Sequence, residues 1–121
     1  MSDIARAREW YENVLGADLY REYGGDSCVL TLLGTWLLLV TGGGPTEDKP
    51  EVTLETPPDP KRTSAFLNIR VADIASAYQQ WRAAGAEFLT EPQDRGAEIR
   101  CYMRDPDGHL IEVGQSTGVR G

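Results

Sequence analysis

The sequence predicts an α+β fold in which one unit of secondary structure, a helix followed by three strands, occurs twice. The first observation is spacing: after each of two aspartates, apolar residues recur at helical intervals, and runs with period-two alternation follow. The second is a repeat in the letters, since Asp3-Ile4-Ala5-Arg6-Ala7 matches Asp73-Ile74-Ala75-Ser76-Ala77. Such self-similarity predicts two copies of one supersecondary unit packed by pseudo-symmetry.

Length and composition are those of one ordinary domain, with 121 residues of which 40% are hydrophobic and 26% charged. We therefore expect a single domain over residues 1–121, with a first module at 1–41 and a second at 65–121. The intervening residues 42–64 hold most of the prolines and are predicted to be a linker.

Charge and cysteine content exclude several classes of partner and location. The net charge of -7 argues against nucleic acid or an anionic membrane surface as a partner. No apolar run is long enough to span a bilayer, and the first residues lack the pattern of a signal peptide. The two cysteines, Cys28 and Cys101, do not make a disulfide framework and are expected to be small core residues. These observations favour a cytoplasmic protein.

In the first module, Asp3 is predicted to cap a helix that ends at Gly16, because glycine readily adopts the left-handed conformation common at helix C-termini. Three strands are expected at residues 17–23, 27–33 and 35–41, separated by turns at Gly24-Gly25 and Gly34.

The second module is predicted to start with a strand at residues 65–71. Asp73 then caps a helix that ends at Gly85. The remaining strands are expected at residues 86–90, 98–104 and 109–115.

The strand at 65–71 has no counterpart in the first module, because Met1 aligns with Val71. Either the native chain begins earlier, or the first module lacks its first strand and leaves a sheet edge that a partner must cover. In both cases we expect a homodimer.

The closing stretch of the chain combines a turn with an alternating strand. Asp105-Pro106-Asp107-Gly108 is typical of a turn, since Pro106 presets its φ and Gly108 tolerates a positive φ. His109, the one histidine, is expected to be a solvated turn residue. In the strand that follows, Glu112 shares a face with Leu110 and Gly114. A carboxylate in an apolar strand needs an explanation, because burying an unpaired charge is costly.

The two βαβββ-like units, the repeated Asp-Ile-Ala-X-Ala helix start and the closing Asp-Pro-Asp-Gly-His-Leu-Ile-Glu-Val resemble the vicinal oxygen chelate superfamily. This group includes glyoxalase I, extradiol dioxygenases, and fosfomycin and bleomycin resistance proteins. The resemblance implies two βαβββ modules that form a curved, mixed sheet with helices outside and a ligand cleft on its concave face.

The resemblance also implies four positions for a divalent metal. Glu112 matches the last of them, but the others fall on Phe66, on Leu38 and on the strand that the first module lacks. Because a catalytic metal takes about three protein ligands, one carboxylate does not make a conventional metal site. We expect no cofactor, and a divalent metal is the disfavoured alternative.

Strand alternation places a mixed polar and aromatic set of side chains on the face of Glu112, as expected of a binding site. The predicted cleft residues are Glu112, Phe66, Asn68, Arg70, Arg100, Tyr102, Trp36 and Leu38.

Three interpretations of Glu112 remain open from the sequence: a polar contact for an organic ligand or for Arg70 or Arg100, a general base, or a solvated carboxylate. The favoured function is metal-independent binding of a small organic molecule. The alternative is a metal-dependent lyase or dioxygenase of the glyoxalase or extradiol type. The sequence identifies neither the ligand nor any catalytic residue.

Overall fold

The computed structural model describes residues 1 and 3–118. Contacts between residues divide the chain into two compact units, Met1–Pro58 and Asp59–Gly121. The division lies inside the predicted linker. Within the described residues, no helix is long and apolar enough to cross a membrane.

The first unit is a helix followed by a three-stranded antiparallel sheet. Its elements are α1 (Ile4–Leu15), β1 (Asp18–Tyr23), β2 (Ser27–Leu32) and β3 (Thr35–Val40). The strands lie in the order β1-β2-β3. As predicted, the Asp3 side chain accepts a hydrogen bond from the Arg6 amide, and Gly16 ends the helix at φ 75°.

The core of the first unit comes from one face of α1 and the apolar residues of β2 and β3. Ala7 and Leu30 are fully buried, and Cys28 and Leu39 are nearly so. The turn between β2 and β3 consists of Leu33 at φ 49° and Gly34 at φ 79°. Two positive φ values are those of a type I′ hairpin turn, which matches the twist of the strands.

The second unit is a mixed sheet with one helix. Its strands lie in the order β4-β8-β7-β5; β4 and β8 run parallel and the other pairs antiparallel. A short strand, β6, also pairs with β7. The elements are β4 (Leu67–Arg70), α2 (Ile74–Ala83), β5 (Glu87–Phe88), β6 (Gln93–Asp94), β7 (Glu98–Arg104) and β8 (Leu110–Ser116).

One face of this sheet is the core of the second unit. Ile69, Cys101, Met103, Ile111 and Val113 are all buried there. Helix α2 has its N-cap at Asp73, as predicted. Its first backbone amide, that of Ile74, donates to the Gln115 side chain of β8 at 2.7 Å.

Six of the seven predicted strands have different bounds in the structure, and β1, β2 and β3 differ by one residue at one end. The strand at 65–71 is limited to Leu67–Arg70. The register of β4 would place Ala65 beside His109, where β8 has not begun, which accounts for the exclusion of Ala65. The His109 amide itself bonds the Asp105 carboxylate, so β8 starts at Leu110.

The strand predicted at 86–90 contains only Glu87–Phe88, and a second short strand, Gln93–Asp94, was not predicted. Both pair with β7, and Pro92 lies between them. Proline has no amide hydrogen to give to a neighbouring strand, which accounts for the interruption.

Candidate functional site

The register of the second unit aligns three polar side chains in one row across the sheet. Asn68 on β4 lies opposite Glu112 on β8, which in turn lies opposite Tyr102 on β7. Residues directly opposite in a sheet point to the same face, so the three side chains meet.

Both carboxylate oxygens of Glu112 accept hydrogen bonds from neutral donors. The Tyr102 hydroxyl donates to Oε2 at 2.6 Å, and Asn68 Nδ2 donates to Oε1. Glu112 is only 8% exposed. The bond to Glu112, together with partial burial, raises the pKa of Tyr102 above its ordinary value. The hydroxyl therefore keeps its proton directed at Glu112.

Phe66 lies one residue before β4, next to this row. Its ring is half exposed and meets the Tyr102 ring edge to face, with centroids 6.0 Å apart. The pair adds an aromatic surface beside the polar groups.

A second row, two residues further along the strands, contains two arginines. Arg70 lies opposite Gly114, and Gly114 lies opposite Arg100. Both guanidinium groups approach one carboxylate: Arg70 Nη1 is 3.4 Å from Glu98 Oε2, and Arg100 Nη1 is 3.9 Å from Glu98 Oε1.

Gly114 allows Arg70 to lie over β8. A β-carbon at position 114 would be only 2.8 Å from Arg70 Cζ, so the Arg70 guanidinium would have to move aside. The absence of a side chain at this position therefore gives the guanidinium its place on the sheet.

We refer to the described residues Phe66, Asn68, Arg70, Glu98, Arg100, Tyr102, Glu112 and Gly114 as the polar face. It joins six of the eight predicted cleft residues in one unit.

The two other predicted cleft residues, Trp36 and Leu38, belong to the first unit. They lie on the same face of β3, at 65% and 58% exposure. The Trp36 ring packs beside that of Tyr20, with centroids 4.9 Å apart. The three side chains form an exposed apolar patch on the three-stranded sheet, which we call the Trp36 patch.

The first unit also has an open groove of about 320 Å³ between α1 and the turn after β1. Arg8 crosses it and pairs with Glu12 at 2.8 Å and with Glu22. The groove contains none of the predicted cleft residues.

The donors around Glu112 do not fit a divalent metal. Its two oxygens are engaged by an amide and a phenol, and the neighbouring Phe66 has no donor atom. In the part of the chain that the structure describes, no group of three or more His, Cys, Asp or Glu side chains is placed to hold a metal ion.

The cysteines are buried core residues, as predicted. Burial raises the pKa of Cys28 and raises that of Cys101 to about 11. Both thiols are therefore protonated at neutral pH and are poor nucleophiles.

Two sequence-based interpretations of Glu112 need correction. Its partners are Asn68 and Tyr102, whereas the two arginines turn to Glu98 instead. The solvated carboxylate is also wrong, since Glu112 is buried.

Two residues of the polar face were not among the predicted cleft residues. Glu98 shares its strand parity with Arg100 and Tyr102, and Gly114 shares that of Glu112. The same alternation that identified their neighbours was therefore the available signal for both.

Comparison with solved structures supports the fold. An integron cassette protein from the mobile metagenome of V. Cholerae is 25% identical, with a TM-score of 0.73 over 95% of this chain and 88% of that one. A glyoxalase/bleomycin resistance protein/dioxygenase from Nocardioides is 22% identical, with a TM-score of 0.74 over 100% and 84%. A genomically encoded fosfomycin resistance protein from Listeria monocytogenes is 19% identical, with a TM-score of 0.70 over 98% and 86%.

The sequence itself gives the family. The model of the Glyoxalase/Bleomycin resistance protein/Dioxygenase superfamily matches residues 1–113, which is nearly the whole chain. The mixed α+β architecture and the open sheets agree with the solved structures. The chain belongs to the glyoxalase/bleomycin resistance protein/dioxygenase superfamily.

Proposed function

We propose that this chain binds a small organic molecule on the polar face and does so without a conventional metal site. The single observation that carries the proposal is the environment of Glu112. A carboxylate that is only 8% exposed has both oxygens bonded to neutral side chains, next to a half-exposed phenylalanine ring.

This arrangement favours recognition of an organic molecule over ligation of a metal. A metal-binding carboxylate must direct a lone pair at the ion together with two or more further ligands. Here the companions of Glu112 are hydrogen-bond donors, which hold the carboxylate in one orientation. Few, well-positioned polar groups beside an aromatic ring are typical of small-molecule sites.

The general-base interpretation of Glu112 is less well supported. General acid–base chemistry normally pairs groups whose pKa values are matched to the reaction. The described hydrogen bonds of Glu112 involve an amide and a phenol whose pKa is raised. Neither group is suited to exchange protons near neutral pH.

Elemental analysis of the purified full chain tests the proposal. We expect Fe, Mn, Zn and Ni well below one atom per chain, both in the natural sequence and in Glu112→Gln. One tightly bound atom per chain that is lost in Glu112→Gln would contradict it and would establish the metal-dependent alternative.

A second measurement tests ligand binding directly. Small aromatic molecules are titrated into isotope-labelled protein, and the side-chain amide signal of Asn68 is followed together with the backbone signals of β4, β7 and β8. Saturable shifts on these strands are expected. If these signals stay unchanged across a broad set of molecules, the polar face is not a binding site.

A further inference from the structure

We propose that the ligand of the polar face is a small organic acid, whose anionic group is bound by Arg70 and Arg100. This inference rests on the proposed function and narrows it to a class of ligand. Three features support this class of ligand: the charge at the second row of the face, the space that Gly114 leaves, and the direction of the Tyr102 hydroxyl.

The two arginines carry more positive charge than their partner cancels. Arg70 and Arg100 converge on the single carboxylate of Glu98, so this row has an excess of one positive charge. With Glu112 in the neighbouring row, the polar face as a whole has no net charge. Their distances to Glu98, 3.4 and 3.9 Å, exceed the 2.7–2.9 Å of a charged hydrogen bond. Both side chains are also partly exposed, at 46% and 38%. Guanidinium hydrogens thus remain available to a second anion.

Arg70 lies over the sheet where position 114 has no side chain. Its guanidinium crosses β8 above Gly114 to reach Glu98 on β7, and any side chain at position 114 would displace it. Gly114 thus leaves room for the guanidinium over β8, and the guanidinium forms its ion pair with Glu98 there at 3.4 Å.

The charge of the whole chain makes this cluster distinctive. With a net charge of -7, the protein as a whole repels small anions. Anion binding at the polar face consequently depends on the local arginines rather than on a general positive field.

The first row specifies a second feature of the ligand. The Tyr102 hydroxyl donates its proton to Glu112, so its oxygen is left as an acceptor. Tyr102 and Arg100 are two residues apart on β7, which separates their rows by roughly 7 Å. A ring that carries a carboxylate at one end and a hydroxyl donor at the other spans such a distance, and the Phe66 ring offers an apolar contact beside it.

The test compares two probes of similar size and shape, the anionic 4-hydroxybenzoate and the neutral 4-hydroxybenzamide. Each is titrated into the isotope-labelled full chain at neutral pH, and Kd is read from the signals of the polar face. We expect the acid to bind about tenfold or more tightly than the amide, the effect of a hydrogen bond to a charged group.

Variants assign this preference to the arginines. Arg70→Gln and Arg100→Gln should each reduce the acid-to-amide preference by about tenfold, and Gly114→Ala should act like Arg70→Gln. Glu98→Gln should increase the preference, because it removes the competing carboxylate. Arg82→Gln is the matched control: it removes one positive charge from α2 in the same unit and should leave the preference unchanged.

The outcomes separate this inference from the proposed function. If both probes bind the polar face equally, or if Arg70→Gln and Arg100→Gln leave the preference intact, the organic-acid inference is wrong while small-molecule binding stands. If neither probe nor any other small molecule shifts the signals of the polar face, the proposed function itself fails. Should one arginine variant not fold, the other and Glu98→Gln give the same decision.

Discussion

The two buried cysteines show how the surroundings of one residue set its chemistry. Cys101 is 1% exposed in the core of the second unit, and burial raises its pKa from 9.0 to about 11. Desolvation opposes the thiolate, which has no compensating cation among the causes of the shift. The folded chain therefore keeps a proton that the unfolded chain releases at lower pH.

This difference predicts alkaline destabilisation. Between pH 9 and 11 the unfolded state binds fewer protons than the folded state, so the free energy of unfolding falls as pH rises. Cys101 contributes a slope of at most about 1.4 kcal/mol per pH unit. Urea denaturation at intervals across this range measures the slope, and Cys101→Ala should make it shallower. An unchanged slope in Cys101→Ala would show that this thiol does not titrate as described.

The titration of Tyr102 also lowers the free energy of unfolding as pH rises, but at higher pH. Its pKa is raised chiefly by the hydrogen bond to Glu112, so its stabilising contribution is complete below the ordinary tyrosine pKa and is lost as pH rises through the raised value. Because this contribution is common to the natural chain and Cys101→Ala, comparing the two slopes isolates the thiol.

The sequence predicts which face of the sheet Glu112 occupies, but it does not predict which side chains Glu112 contacts. Alternation along one strand determines which side of the sheet each residue occupies, and Asn68, Tyr102 and Glu112 share a face. Which side chains touch depends on the register between strands that are distant in the chain. Nothing local to Glu112 encodes that register, so Arg70 and Arg100 were equally plausible partners until the strands were paired.

The turn before β8 is the element that depends most on one carboxylate. Asp105 is buried, and its Oδ1 accepts hydrogen bonds from the amides of Asp107 and His109, both at 2.9 Å. The Gly108 amide bonds the Asp105 carbonyl, and Gly108 has φ 91°. The side chain of Asp105 thus stabilises the turn that leads into β8, the strand of Glu112.

Removing that carboxylate should destabilise the chain. Asp105→Ala leaves two backbone amides without their acceptor, and we expect it to lower the free energy of unfolding by about 2 kcal/mol. Asp105→Asn keeps one oxygen acceptor at nearly the same position and should cost less than half as much. Chemical denaturation of the three proteins measures the difference. Equal losses in both variants would mean that charge, rather than the two hydrogen bonds, accounts for the role of Asp105.

For this turn, the sequence predicted the backbone conformation but not the burial of Asp105. Pro106 and Gly108 predicted a turn from their backbone preferences, and the positive φ of Gly108 confirms it. The burial of Asp105 depends on how the turn packs, which backbone preferences do not describe. The strand Gln93–Asp94 is likewise too short for alternation to be recognised, and the strand predicted at 86–90 is limited to Glu87–Phe88.

At the scale of the whole molecule, we infer that the chain forms a homodimer. The Trp36 patch exposes two aromatic rings and a leucine on the three-stranded sheet. Exposed aromatic side chains that lie together on a sheet are frequent at protein interfaces. A homodimer is also what the sequence led us to expect.

Sedimentation over a range of protein concentrations tests this inference. We expect a monomer–dimer equilibrium that Trp36→Ser weakens by roughly 30-fold, the effect of losing a central interface aromatic residue. Val52→Ser is the control, since Val52 is similarly exposed but lies outside the patch. A monomer at all concentrations, or equal effects of the two variants, would contradict a dimer formed through the patch.

The superfamily was evident from the sequence because its signals are local and repeated. The Asp-Ile-Ala helix starts and the closing Asp-Pro-Asp-Gly turn need no tertiary information, and the match over residues 1–113 confirms what they indicate. The identity of the ligand could not be predicted in this way, because it depends on a few side chains from separate strands. Arg70, Glu98 and Arg100 become one cluster only when β4, β7 and β8 are assembled.

The turn at Leu33 and Gly34 determines which side chains of β3 the first unit exposes. A two-residue hairpin turn fixes how two strands slide against each other, and Leu32 is paired with Thr35 as a result. A slip of one position would exchange the two faces of β3, hiding Trp36 and Leu38 and exposing Leu39. Leu33, at φ 49°, occupies a conformation that leucine rarely adopts. The two-residue turn therefore keeps the tryptophan side of the strand outward, although it places Leu33 at an unfavourable backbone angle.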